Sequence, residues 1–187
     1  MTENGAGRAR RVGLVVNPTS GKGRGKRYAT TVAERLTQRG LSVRTIVGRD
    51  AIEALDLARQ AVAEGLDGLV VLGGDGMVHL GVQAVAGSPL PLGIVAAGTG
   101  NDFGRSLGID HNSPEAAVGT LARGVSRRVD VGRVVTEARR VDPQGAPRTH
   151  RHFLNLVGFG FDIAVIDAAK RARFLKGLIF TEQSKPA

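Results

Sequence analysis

Three short stretches of the chain hold residues whose types and spacing suit the handling of a charged ligand. They are Asn17-Pro18-Thr19-Ser20-Gly21, Gly73-Gly74-Asp75-Gly76 and Gly98-Thr99-Gly100-Asn101-Asp102. Glycines there let backbone N–H groups crowd around phosphate oxygens, and a following helix N-terminus adds a favourable dipole. A single loop of this kind says little, because strand-to-helix turns also use glycine for steric reasons. Three in successive units point to phosphate binding. Asp75 narrows the chemistry: a bare carboxylate beside phosphates is repelled unless Mg²⁺ or hydrogen-bond donors compensate it. Asp102 lies in the next loop and Asp130 in the strand expected after it. Three acids near neighbouring strand ends could share a hydrated Mg²⁺. Helix capping by Asp75 and Asp102, with a loop hydrogen bond for Asp130, accounts for the same spacing, so both readings stay open at this point. Two common fingerprints are not met. Gly21-Lys22-Gly23-Arg24-Gly25-Lys26 has a Walker-like composition without the Walker spacing, and Gly104 falls out of step for a dinucleotide motif starting at Gly98.

Loops of this type need strands and helices to hold them. Residues 12–17 are an apolar run ending in Asn-Pro, a strand leaving into a turn. Tyr28, Val32, Ala33 and Leu36 give helical spacing over 25–39, and Gly40 supplies a stop. Residues 41–47 alternate as a strand does. Asp50, with Glu53 three residues on, reads as a capping box opening a helix that ends near Gly65. Its expected apolar face is Ile52, Leu55, Leu57 or Ala58, and Val62. Residues 69–72 and 92–97 are continuous apolar runs, as expected of strands buried on both faces. A helix to about Ala86 follows the first of them. A helix over 114–123 and a strand over 128–135 complete the unit. Alternating strands and helices predict an α/β fold, a parallel sheet with helices on both faces. Residues 136–148 carry Pro143, Gly145 and Pro147 among charges and read as a loop. A further strand is expected over 151–157 and a helix with a basic face over 163–176. The expected division is an α/β domain over 1–135 and the start of a second domain over 150–187.

Composition bounds the function classes. The chain has 187 residues, no cysteine and a formal net charge of +9. There is thus no disulfide framework or thiolate metal site. No stretch approaches the length of a membrane span, and no segment reads as a signal peptide, so the expected location is cytoplasmic. The basic balance favours an anionic partner. Nucleic acid is not expected, because aromatic residues make up only 4% of the chain and stacking platforms need them. An anionic membrane surface remains, with Lys170, Arg171, Arg173 and Lys176 interleaved by Phe174, Leu175 and Leu178 as one docking candidate. His150-x-His152 lacks a third metal ligand.

The loop sequences together resemble the diacylglycerol kinase catalytic domain family. Gly73-Gly74-Asp75-Gly76 alone is shared with NAD kinases and phosphofructokinases, whereas Gly98-Thr99-Gly100-Asn101-Asp102-Phe103 looks like a lipid kinase. Asn17-Pro18-x-Ser20-Gly21, Thr45 before Asp50-Ala51, Val129-Asp130-Val131-Gly132 and Phe153-Leu154-Asn155 match in order. The resemblance implies ATP bound between an α/β domain and a following β-sandwich. Carried over, Asn17, Pro18, Ser20, Gly21, Thr45, Gly73, Gly74, Asp75, Gly76 and Thr99 would contact ATP. Asp75, the one catalytic residue the resemblance assigns, would form a Mg²⁺-linked acidic network with Asp102 and Asp130. The implied reaction moves the γ-phosphoryl group to the hydroxyl of diacylglycerol, giving phosphatidic acid. Positions 77, 79, 80 and 83 depart from the pattern, with Met77 in place of Thr, then His79, Leu80 and Gln83. The family's proposed catalytic acid lies late in its second domain, and nothing in residues 155–187 matches it, so the β-sandwich is expected to be incomplete and no general base is named. Alternatives are a nucleotide-binding fragment or pseudokinase, and an NAD kinase-like enzyme. Exposed strand edges in an unfinished sheet predict self-association.

Overall fold

Uninterrupted runs of Val, Leu and Ile are satisfied only by burial on both faces, and these runs build the centre of the protein. The computed structural model describes residues 10–17, 24–98, 100–109, 113–136 and 149–154. Strands β1 (Arg11–Val16), β2 (Ser42–Ile46), β3 (Gly68–Gly73) and β4 (Leu92–Ala96) form a parallel sheet in the order β2-β1-β3-β4. β3 is buried along its whole length. The register places Val16 beside Leu72 and Leu72 beside Val95, so the carboxyl ends of β1, β3 and β4 lie level.

Helices cover both faces, as the alternating pattern predicts. Leu14, Val16, Val70, Leu72 and Val95 point to one side, where they meet Val32 and Leu36 of α1 (Arg24–Gln38) and Val118 of α5 (Pro114–Arg123). Val15, Leu69, Val71 and Ile94 point to the other. There they pack on Ala54, Ala58 and Ala61 of α2 (Ala51–Ala63) and on Met77, Val78 and Leu80 of α3 (Asp75–Val85). The strand period of two thus sorts each strand's side chains into two cores.

Several expectations need correction. Of the expected face of α2, Ala58 is buried and Leu55, Leu57 and Val62 pack against the core, with Ala54 and Ala61 buried beside them, while Ile52 is 74% exposed. Small residues there bring the helix close to the sheet, and Ile52 sits in the first turn beyond the sheet's reach. Asp50 does cap α2, its Oδ1 accepting from the Ile52 and Glu53 N–H groups at 2.9 Å each. Glu53 reaches past the cap to the Arg49 N–H instead of closing a reciprocal box on Asp50. The strand expected over 128–135 begins at Gly132, residues 125–131 having no regular structure. This strand, β5 (Gly132–Thr136), does not join the parallel sheet. It pairs antiparallel with β6 (Thr149–Phe153), Val134 opposite Arg151. Most of the expected second domain, including the helix over 163–176, lies outside the described residues.

Candidate functional site

Parallel strands deliver all their following loops to one edge of the sheet, and ligands bind in the crevice there. Two hydrogen bonds tie these loops together as they leave the strands. The Asn17 N–H donates to the Leu72 carbonyl at 3.4 Å, and the Ala97 N–H donates to the Gly73 carbonyl at 2.9 Å. Asn17 is half-buried at this edge, and Thr45 is exposed near the end of β2. Pro18, Ser20, Gly21 and Thr99 lie outside the described residues.

The two later loops meet backbone to backbone. A Cβ on Gly74 would stand 3.2 Å from the Gly98 Cα, and one on Gly98 would overlap the Gly74 Cα. Glycine at both positions is therefore a condition of the contact. Gly74 caps α3, so Asp75 and Gly76 belong to the helix's first turn, one step further into it than a loop reading suggests. From that turn the Asp75 carboxylate crosses to the next loop. Its Oδ2 accepts from the Asp102 N–H and its Oδ1 from the Phe103 N–H, both at 3.1 Å. Those are the first amides of α4 (Asp102–Ser106), a short helix that the glycine-rich sequence did not announce. Asp75 thus supplies the carboxylate that satisfies orphan donors at a helix start.

Asn101 shapes the turn before α4. It is 4% exposed and takes the left-handed conformation, φ 56° and ψ 40°. Asparagine tolerates that region better than most side chains. Its Oδ1 accepts from the Gly98 N–H at 2.9 Å and its Nδ2 donates to the Gly98 carbonyl at 3.0 Å. The amide locks the loop from beneath, a role that loop composition alone does not reveal.

Space remains on the outer side. Among the described residues, nothing lies within 4 Å of a Cβ placed on Gly76. A Cβ on Gly100 would face Asp75 Oδ2 at 3.1 Å and Asp102 Oδ1 at 3.7 Å. Both carboxylates therefore lie against the side of Gly100 on which a Cβ would stand. Asp102 is exposed and lies 3.8 Å from Arg105. Asp130 is exposed in the irregular stretch before β5. Among the described residues no three His, Cys, Asp or Glu side chains gather as a metal site. Two carboxylates nevertheless fit Mg²⁺, which keeps several waters and is held by one or two carboxylates plus substrate phosphates. Asp75 and Asp102 are the residues that could hold it.

Met77 is a core residue of α3. It is buried in the core cluster with Val78 and Leu80, so its thioether takes nothing from a phosphate on the outer side. His79 is exposed on α3, and partial desolvation, with Arg151 nearby, lowers its pKa below the ordinary value. Gln83, buried on the same helix, is hydrogen-bonded to β6. The sequence marked it only as a departure from the family pattern, because helical periodicity does not distinguish a buried amide from a solvated one.

A parallel α/β sheet with coupled glycine–aspartate loops at adjoining strand ends defines the class of fold, an open α/β domain with its candidate site at the strand ends. The chain belongs to the diacylglycerol kinase catalytic domain family, whose model matches residues 11–134. It is 38% identical over 167 residues to a diacylglycerol kinase of Mycobacterium tuberculosis (strain ATCC 25618 / H37Rv), covering 89% of this chain and 51% of that protein. A diacylglycerol kinase of Bacillus subtilis (strain 168) is 30% identical over 155 residues, covering 81% and 46%. The crystal structure of a diacylglycerol kinase from Bacillus anthracis str. Sterne superposes with a TM-score of 0.61 at 28% identity, over 78% of this chain and 46% of that one. The chain thus spans close to half the length of these relatives. Among the described residues, no helix is long and apolar enough to cross a membrane.

Proposed function

We propose that the chain carries the ATP-binding half of a lipid kinase, which transfers the γ-phosphoryl group of Mg·ATP to the hydroxyl of diacylglycerol or a similar lipid. One observation carries this reading: the Asp75 carboxylate bridges the two glycine loops by accepting from the Asp102 and Phe103 amides. A carboxylate so fixed keeps lone pairs beyond those two bonds, which a cation carrying phosphates could use. The described chain's part in phosphoryl transfer is positioning and charge neutralisation. Among the described residues, Gly76 leaves room for phosphate oxygens. The α3 N-terminus, whose cap residue Gly74 makes no side-chain hydrogen bond, would offer them its first amides. Asn101 holds the shape of the second loop through its two hydrogen bonds to Gly98. When bound between Asp75 and Asp102, Mg²⁺ would offset the negative charge of the transferred group. Asn17, Pro18, Ser20, Gly21, Thr45 and Thr99 complete the proposed nucleotide contacts, and Asp130 joins the site only if the irregular stretch before β5 closes towards it.

The names of the relatives support a lipid acceptor, and a basic chain that must reach such a substrate suits transient contact with an anionic membrane surface. A homo-oligomer formed through exposed strand edges is part of the same proposal. Offering Mg·ATP with diacylglycerol in mixed micelles, and in parallel with NAD, tests the assignment. Phosphatidic acid as the product supports it. Phosphorylated NAD would reverse the choice of acceptor, and nucleotide binding without any product would leave a binding fragment only.

A further inference from the structure

Among the described residues, Asn101 is the one non-glycine with a positive φ. A side-chain-bearing residue persists in that region only where its surroundings hold it there, and such strain gathers at working sites. The surroundings here form a closed circuit. The Asn101 amide engages both backbone groups of Gly98, accepting from the N–H and donating to the carbonyl. Gly98 lies so close to Gly74 that a Cβ on it would overlap the Gly74 Cα. Gly74 leads directly into Asp75, whose carboxylate accepts from the Asp102 and Phe103 N–H groups. Those two amides follow Asn101 in the chain, and the Asn101 carbonyl accepts from the Arg105 N–H at 2.9 Å. Each loop is thus held by the other, and the buried amide closes the ring. Removing it would leave the Gly98 groups unpaired and release the turn that brings Asp102 to Asp75.

We infer that Asn101 is a positioning residue for Mg·ATP, its buried amide fixing where the Asp102 carboxylate stands relative to that of Asp75. This inference rests on the kinase reading above. It assigns Asn101 no contact with the metal or the nucleotide. The amide must accept and donate at once, which an ionised carboxylate cannot do and a protonated carboxyl can. Charged or titratable groups on the elements that meet at this turn are Asp75 and His79 of α3 and Asp102 and Arg105 of α4, while β3 and β4 supply none. Arg105 lies 3.8 Å from Asp102. Burial and two neighbouring carboxylates would raise the pKa of an aspartate substituted at position 101.

Calorimetric titration of the full chain with AMP-PNP, a non-hydrolysable ATP analogue, in Mg²⁺ and in EDTA separates the metal from the nucleotide. Asn101→Gly keeps the backbone freedom and loses both bonds. It is expected to weaken Mg·AMP-PNP binding about tenfold, with metal-free binding within about twofold of wild type. Asn101→Asp should match that loss at pH 8 and return at pH 6 to within about threefold of wild type at the same pH. It also reads the metal-dependent split should N101G fail to fold. Equal losses with and without Mg²⁺, no loss, or an N101D chain that stays weak at pH 6 would overturn the positioning role, while phosphate transfer by the wild type keeps the kinase reading. A wild-type chain that neither binds AMP-PNP nor transfers phosphate would instead remove the kinase reading, and this inference with it.

Discussion

Asp75 and Phe103 lie 28 residues apart, yet the carboxylate of one caps the helix that begins beside the other, Oδ1 to N at 3.1 Å. The bond makes two loops into one structure. An acid that sequence spacing offers both as a metal ligand and as a helix cap serves visibly as a cap, and it does so across loops rather than within its own helix. The two roles are compatible, since a carboxylate has more lone pairs than these two amides use.

Close contact between Gly74 and Gly98 predicts opposite outcomes for two similar substitutions. Gly98→Ala forces a methyl group into the Gly74 backbone and should cost about 1–3 kcal/mol, read as a lower urea midpoint. Gly76→Ala has open space and a helical position, so stability should hold or rise slightly. The same added methyl should weaken ATP binding roughly tenfold if phosphate oxygens pack there. Unchanged affinity would place the phosphates elsewhere.

Asn101 combines a left-handed backbone with two hydrogen bonds to Gly98. Asn101→Gly keeps the backbone freedom and loses the bonds, whereas Asn101→Ala loses both. Alanine should therefore be the more destabilising replacement, by about 1 kcal/mol. Chemical denaturation of the two variants orders them. Equal stability would mean that the left-handed turn costs nothing here.

His79 supplies a pH dependence of known sign. Partial burial, with Arg151 nearby, lowers its pKa from the ordinary 6.5. The folded chain then binds fewer protons than the unfolded one below that value, so stability rises with pH across the window. Stability is lost as pH falls through 6.5 to the lowered folded value. His79→Gln should flatten that part of the curve. Parallel thermal-melting profiles for wild type and variant would show that His79 contributes no such linkage.

Periodicity and punctuation made most of the sheet legible. The run Leu69-Val70-Val71-Leu72 has no polar face to offer water, so its central place follows from composition alone. Asp50 and Gly40 bounded helices because capping chemistry is local. Long-range relations were not legible in this way. The pairing of β5 with β6 depends on register across a long intervening segment, and alternation over 128–135 carries no information about its partner. Ile52 misled because helical spacing alone cannot say whether an apolar residue in the first turn reaches the sheet. Within the candidate site, the glycines and Asp75 stood out by type, while Asn101 and Gln83 act through hydrogen bonds that no spacing rule encodes.

The central claim is that Asp75 organises a phosphoryl-transfer site. Radiolabelled phosphate transfer from Mg·ATP to diacylglycerol in mixed micelles measures it most directly, comparing the chain with Asp75→Asn. Asparagine keeps the shape and one acceptor oxygen, so the variant should fold, yet its lost charge should lower turnover by about 100-fold or more. Labelled phosphatidic acid formed by the wild type and nearly abolished in D75N is the predicted result. Equal turnover by the two proteins would contradict the account.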